Sequence, residues 1–507
     1  MKYTGKMMKK MIKKIKNNIT LLNVITNLIL QISMILSGFI IPKIILIYFG
    51  SEVNGLVSSI TQFLSYISLI EGGITGVITA SLYKPLFDRD YKKLSSVVKT
   101  TDKFYKKIGA IFIIYSLIIA FVYPVIFNVQ FSYIYTATLV IILSLNLLIQ
   151  YMFSLTMRTL LSADKKVYIV AISQTFMIIA NIVLAIISVK IYPSIHLLKL
   201  ITGILYLTQP IIYGWYVKKN YKIDKNVEED KDLIKSRWNG FAINIAAFIH
   251  FSTDITILTI FTDFATVSIY SVYALVTTGL RQIVSSISAA INPTIGHLYA
   301  SQNKEELNKK FDIYEYIIFV IVFLLFSVAG LLITPFVMLY TKGITDANYY
   351  QPLFGVLLVI SEGLYLIKFP HLNLAYIANK FKEITIPAFI EAGLNIIVSI
   401  ILVKKFGLIG VAVGTIVGML YRMVFHVYYT KKDILGRPQN KFYKSFAIFS
   451  ITTFIGCISC LLLIPFSEYS LYNWIKYGVL YTIIMSVLNI IISVLFYNKE
   501  IRTLLRK

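Results

Sequence analysis

Two cysteines and five histidines are all that this chain of 507 residues offers to thiol or imidazole chemistry. Cys457 and Cys460 form CISC inside an apolar run, without the βαβ setting of a redox motif or further ligands for zinc, and read as small packing residues. No HExxH, GxSxG or Walker loop occurs. The usual equipment for ATP hydrolysis is therefore missing, no cofactor is implied, and the energy for any work must come from an ion gradient, a membrane potential or consumption of product. Acidic residues are scarce as well, 24 against 49 lysines and arginines. A net charge of +25 invites a nucleic-acid partner, but the placement of the charges excludes it.

What is abundant is apolar sequence, 57% of the chain, in runs that repeatedly exceed the roughly 18 residues of a spanning helix. The chain reads as an all-α integral membrane protein of 14 transmembrane helices. The expected spans are 19 to 41, 53 to 80, 108 to 127, 134 to 155, 168 to 189 and 195 to 217, then 239 to 261, 268 to 295, 313 to 335, 352 to 370, 384 to 403 and 408 to 429, and finally 445 to 466 and 474 to 497. The alternate loops that include both termini hold 39 of the 49 basic residues. That asymmetry is the positive-inside pattern, so both termini are expected on the cytoplasmic side of a bacterial cell membrane. The start, residues 1–18, is basic and amphipathic and suits the surface of an anionic leaflet. It runs into a long apolar span with no cleavage site in view.

A polar island, Lys218 to Trp238, divides the chain into an N-lobe (19–217) and a C-lobe (239–429), with two additional helices (430–497) and a basic tail (498–507). A faint internal echo supports two equivalent lobes. YFGSEVNGLVSSI after span one answers IFTDFATVSIYSV after span seven, and Leu82-Tyr83 answers Leu298-Tyr299. Six spans per lobe would relate the lobes by an axis along the membrane normal.

Polar residues inside hydrocarbon cost at least about 2.5 kcal/mol and therefore point to function or to internal pairing. Asn23, Asn27 and Gln31 step by four along span one, either as amides for sugar hydroxyls or as interhelical glue. Span two adds Gln62 and Glu71, the latter a site for a coupling proton or sodium ion or a carboxyl capping a glycine kink. His250 and Asp254 lie four apart and form a possible proton site. Arg281, Ser285, Ser288 and Asn292 run down one face of span eight. A guanidinium at mid-membrane needs an anion, which a diphosphate could supply, or internally Glu71 or Glu362. Lys368 is a further cation that could snorkel to the cytoplasmic edge. Glu391, Asn395 and Ser399 make a second stripe; Gly410, Gly414 and Gly418 make a close-packing seam, continued by Arg422 and His426. Substrate contact is thus assigned to Asn23, Asn27, Gln31, Gln62, Arg281, Ser285, Ser288, Asn292, Lys368 and Arg422, and ion coupling to Glu71, His250, Asp254, Glu362 and Glu391.

FGSEVNGLVSS after span one, MRTLLSADKK after span four and LYTKGITDANYYQP before span ten, on a chain of this length and span pattern, resemble the polysaccharide transporter family. These are the Wzx-type flippases of the superfamily that also holds the multidrug MATE exporters. The resemblance implies a V-shaped, MATE-like, two-lobed transporter that turns an undecaprenyl-diphosphate-linked oligosaccharide to the outer leaflet by alternating access. It also implies membrane lipids, H+ or Na+, and polysaccharide polymerases and glycosyltransferases as partners. The first two spans carry no cation except Lys43, which counts against a lipid II flippase of the related MurJ type. Two other functions compete. A MATE-like cation exporter would use Glu71, Asp254 and Glu391, whereas a membrane polymerase or glycosyltransferase would need a larger outer loop than Phe336 to Gln351.

Overall fold

A computed structural model of the protein describes residues 18–71, 74–127, 130–224, 226–230 and 241–505. Every regular element among them is helical. Large apolar side chains such as Ile114, Phe121 and Ile134 are exposed on the helices, as expected of elements that satisfy their own backbone and meet lipid. The helices begin where the sequence offers a polar cap. Asn18, Asp90, Ser132, Ser194, Asp263, Asn303 and Ser470 each accept a hydrogen bond from a backbone N–H of the turn that follows.

The chain divides into two compact units, Met1–Ile245 and Ala246–Lys507. The first contains α1 (Ile19–Ser65), α2 (Ser68–Glu71), α3 (Ile74–Asp88), α4 (Tyr91–Ile126), α5 (Tyr133–Ile149), α6 (Leu155–Ala163), α7 (Val167–Ile191), α8 (Ile195–Leu205) and α9 (Thr208–Asn220). A π turn, Gln150–Ser154, joins α5 to α6. α10 (Phe241–Phe261) leads into the second unit, which continues with α11 (Phe264–Ala300), α12 (Lys304–Tyr340), α13 (Pro352–Ile367), α14 (Phe369–Ile377), α15 (Phe381–Phe406), α16 (Leu408–Tyr429), α17 (Asn440–Leu463), α18 (Leu471–Phe496) and α19 (Asn498–Leu505). A second π turn, Thr430–Ile434, follows α16.

Among the described residues, 12 helices are long and apolar enough to cross a membrane; the expected span 239 to 261 falls on α10 and partly outside the described residues. The first expected span and most of the second fall in one stretch, Ile19–Glu71, whose long helix α1 breaks at Gly50 (φ 81°, ψ 176°). Only glycine adopts that backbone without strain. The expected loops are also too long. The stretch from Leu82 to Lys107 is mostly the end of α3 and the start of α4, and MRTLLSADKK is mostly α6. D-x-D triplets do occur, but without a catalytic setting. In Asp88-Arg89-Asp90 the arginine sits in a turn at φ 56° and Asp90 caps α4; in Asp230-Lys231-Asp232 the first aspartate pairs with Lys93, and the other two lie outside the described residues.

The first half of the polar island is fastened rather than loose. Residues 221–224 and 226–230 lie along α4: Asp224 N–H donates to Ser95 Oγ at 2.9 Å, Asp230 N–H to Thr100 Oγ1 at 2.7 Å, and Lys99 Nζ to the Val227 carbonyl at 2.8 Å. Lys103 pairs with Glu229 at 2.6 Å and Lys93 with Asp230 at 3.0 Å. The hydrogen bond from Lys103 holds the Glu229 carboxyl below the usual carboxylate range. A depressed carboxyl contributes stability that is present above its ordinary pKa and lost as pH falls through the depressed value. Hydrogen exchange at the Asp224 and Asp230 amides is therefore expected to lose protection by a few fold below the carboxylate range, and Lys103→Ala to produce the same loss at neutral pH. Equal protection in the variant would show that the strap is held without this pair.

Candidate functional site

The intramembrane polar residues fall into separate clusters inside each unit. In the first unit Glu71, at the end of α2, is ringed by hydroxyls. Thr75 Oγ1 donates to Glu71 Oε1 at 2.8 Å, Tyr151 Oη to Oε2 at 3.1 Å, and Tyr105 bonds Thr75 at 3.0 Å. Tyr151 stands on the first π turn, a distortion often found at functional positions. Thr75 lies four residues from Glu71, a helical spacing, but the two tyrosines come from distant segments and cannot be singled out in the sequence.

The first member of the amide stripe of span one is engaged by a neighbouring segment. Asn23 Nδ2 donates to the Lys165 carbonyl at 2.8 Å, and its Oδ1 accepts from Tyr168 N–H at 2.8 Å. It staples α1 to the turn between α6 and α7, and Asn27 turns back to the Asn23 carbonyl at 2.8 Å. Gln31 also has an interaction partner. Gln62 donates to Ser65 Oγ at 3.1 Å, a local contact at the end of α1.

In the second unit Asp254 on α10 accepts from Tyr270 of α11 at 2.9 Å and from Thr415 of α16 at 3.1 Å. The His250 side chain lies outside the described residues, so the expected His250–Asp254 pair is not seen. Arg281 on α11 meets Glu362 of α13 at 3.3 Å and donates to Thr278 at 3.2 Å. The internal partner anticipated for this arginine is therefore Glu362. Two further members of its face are tied to other helices. Ser288 is buried against Tyr314 of α12, Tyr314 Oη donates to Asn292 Oδ1 at 3.2 Å, and Asn373 of α14 closes the knot with bonds to Ser288 at 3.3 Å and Tyr314 at 3.0 Å. Ser285, half-buried, is outside the knot.

Arg422 is corrected more sharply. Its guanidinium bonds Glu391 at 2.5 Å and donates through Nε to His426 Nε2 at 2.7 Å, with side-chain exposures of 7% for Arg422 and 2% for Glu391. A cation so enclosed is answered by its own unit, and Glu391 is likewise committed to it. The seam explains how the pair forms. Gly410, Gly414 and Gly418 of α16 press on the backbone of α15 at Leu402, Ser399, Asn395 and Glu391, an approach open only to residues without a Cβ. Lys368 does not snorkel. It lies at the joint of α13 and α14, 2% exposed, with Nζ 3.5 Å from Met419 Sδ and 4.4 Å from the Tyr365 ring centroid.

A further cluster, which the sequence reading misses, lies on α12, α14 and the second π turn, around Glu315, His371 and Lys431. Glu315 falls at the edge of an expected span and His371 in an expected loop, since the tenth expected span ends at residue 370 whereas α14 runs on to Ile377. The acid within the apolar run IYEYI is the available signal.

Helices of this length and apolarity define a multi-pass membrane protein, and its likenesses make it a transporter, not an enzyme. Its fold is that of solved transporters. A structure titled lipid II flippase MurJ, inward closed conformation, has a TM-score of 0.71 at 14% identity over 94% of this chain and 99% of that one. A MATE multidrug-resistance transporter in an inward-facing conformation gives 0.63 at 14% identity over 77% and 93%, and the MATE multidrug transporter DinF-BH, in a ligand complex, gives 0.58 at 15% over 81% and 95%. The family described as lipid II flippase MurJ matches residues 69–480, and the chain belongs to that family. No curated protein matches the sequence. Membership overturns the expectation drawn from the lack of cations in the first two spans.

Proposed function

We propose that the protein carries a lipid-linked saccharide with an undecaprenyl-diphosphate headgroup from the cytoplasmic to the outer leaflet by alternating access, with both termini cytoplasmic and 14 spans. The proposal rests first on membership of the MurJ family. Among the intramembrane cations described above, Arg281 supports it best. Its side chain keeps 22% exposure beside Glu362, whereas Lys368, Arg422 and Lys431 are enclosed. A planar donor fork in that position suits a diphosphate. Asp254 and Glu71, held by hydroxyls of neighbouring helices, are assigned the coupling ion, H+ or Na+.

Two cargoes of the same chemistry are favoured by different observations. The FGSEVNGLVSS, MRTLLSADKK and LYTKGITDANYYQP segments favour an oligosaccharide repeat unit for surface polysaccharide. The family match favours lipid II. The lipid-linked intermediate that accumulates on the cytoplasmic side when the protein is absent decides between them: a repeat-unit lipid supports the first, lipid II the second, and accumulation of neither would defeat the proposal. Arg281→Ala is expected to abolish translocation while the protein still inserts, and normal translocation would remove Arg281 from the substrate path.

A further inference from the structure

His371 is 0% exposed and has a polar neighbour at each ring nitrogen. Nε2 lies 2.8 Å from Glu315 Oε1, and Nδ1 lies 2.5 Å from Thr430 Oγ1. Two bare lone pairs at the Thr430 distance would repel, so a proton lies at that contact. The Glu315 contact is one of charge without hydrogen-bond alignment: the carboxylate, which also faces Lys431 Nζ at 2.8 Å and Arg437 at 3.4 Å, favours a proton on Nε2 by its negative charge. At Thr430 the proton has two possible owners. The hydroxyl lies 2.7 Å from the His426 carbonyl as well as 2.5 Å from the ring. Pointed at the ring, it donates to Nδ1 and the histidine is neutral. Pointed at the carbonyl, it accepts from Nδ1–H and the histidine is an imidazolium.

We propose that Glu315, His371 and Thr430 form a proton-binding site in the second unit, in which a proton enters at His371 Nδ1 and rotation of the Thr430 hydroxyl accommodates it with no heavy atom displaced. The surrounding charges make the site responsive. From α12 come Asp312 and Glu315, from the π turn Lys431, from the following loop Arg437, from α17 Lys441 and from α19 Glu500. Three carboxylates face three cations on this side of the ring, so an imidazolium adds one positive charge to an otherwise even set. On the far side of Thr430, His426 and Arg422 lead to Glu391, and Lys368 lies on the same side. Phe311 and Phe442 close over the ring edge to face, at 5.3 and 5.2 Å. A small cavity lined by polar and aromatic side chains, among them Asp312, Glu315, Phe319, Lys441, Phe442 and Glu500, adjoins the carboxylate. The cluster ties α17 and α19 to α12, so proton uptake is felt where the C-terminal helices join the rest of the unit.

The site is independent of the cargo, and its test needs no transport assay. Full-length protein labelled with nitrogen-15 histidine in lipid vesicles is titrated from about pH 5 to about pH 9, with His371→Gln used to identify the ring signals. The expected result is a change from the neutral tautomer bearing its proton on Nε2 to the doubly protonated ring as pH falls. Thr430→Val removes the acceptor for Nδ1–H and is expected to weaken proton binding about tenfold or more, the worth of a hydrogen bond to a charged group. Thr430→Ser should restore it. A His371 signal that stays in one protonation state throughout the range in the wild type, or a Thr430→Val protein that titrates like the wild type, would overturn the assignment. Should Thr430→Val fail to fold, the wild-type and Thr430→Ser titrations still decide it.

Discussion

Arg422→Ala, with Glu391 left in place, is expected to lower stability by about 3–5 kcal/mol, the usual cost of stranding one member of a buried ion pair. The reason lies in the enclosure: Glu391 is 2% exposed and Arg422 7%, at 2.5 Å, so water cannot replace the lost guanidinium. His426 also loses the donor to its Nε2. Removing both charges, as Arg422→Met with Glu391→Gln, should recover most of the loss, since a buried pair contributes little over a neutral isostere. Thermal unfolding of the purified protein in detergent reads both variants. An Arg422→Ala protein within about 1 kcal/mol of the wild type would place the pair in contact with solvent.

Gly414→Val is the second large effect expected. A Cβ at Gly414 would collide with Ser399 Oγ and lie 2.8 Å from Ser399 N and 2.9 Å from the Asn395 carbonyl, and the backbone atoms cannot swing aside. Overpacking of this kind costs about 1–3 kcal/mol, and the branched side chain adds to it. Gly393→Ala, on α15, supplies the control. Nothing lies within 4 Å of its Cβ position, and alanine is the better helix former by about 0.8–1.0 kcal/mol. Unfolding temperatures that fall for Gly414→Val and hold or rise for Gly393→Ala fit the seam. Similar values for both would mean that α15 and α16 can part without loss.

What is legible in the sequence follows from periodicity. The helical class and the glycine seam of Gly410, Gly414 and Gly418 follow from periodicity and a spacing of four, whereas the apposition of the seam to the stripe of Glu391, Asn395 and Ser399 appears only in the structure. The partners of each polar residue do not. Nothing in the spacing distinguishes Arg281, which retains exposure beside Glu362, from Arg422, which is sealed against Glu391 and His426. Both are arginines in apolar runs, and only packing between distant segments separates them. Asn23 shows the same limit, since its stripe reads equally as a wet face or as glue until Lys165 and Tyr168 are brought to it. The Glu315 cluster escapes notice because Glu315 and His371 fall at the edges of expected spans, where boundaries read from hydropathy err by several residues.

Gly50 carries a consequence for movement. A straight helix of α1's 47 residues would be about 70 Å long, against a hydrocarbon core of about 30 Å. A single residue therefore stands where most membrane proteins spend a loop, and it leaves no slack between the two arms it joins. The angle between the arm that begins at Ile19 and the arm that ends at Ser65 is therefore set at one pivot, Gly50.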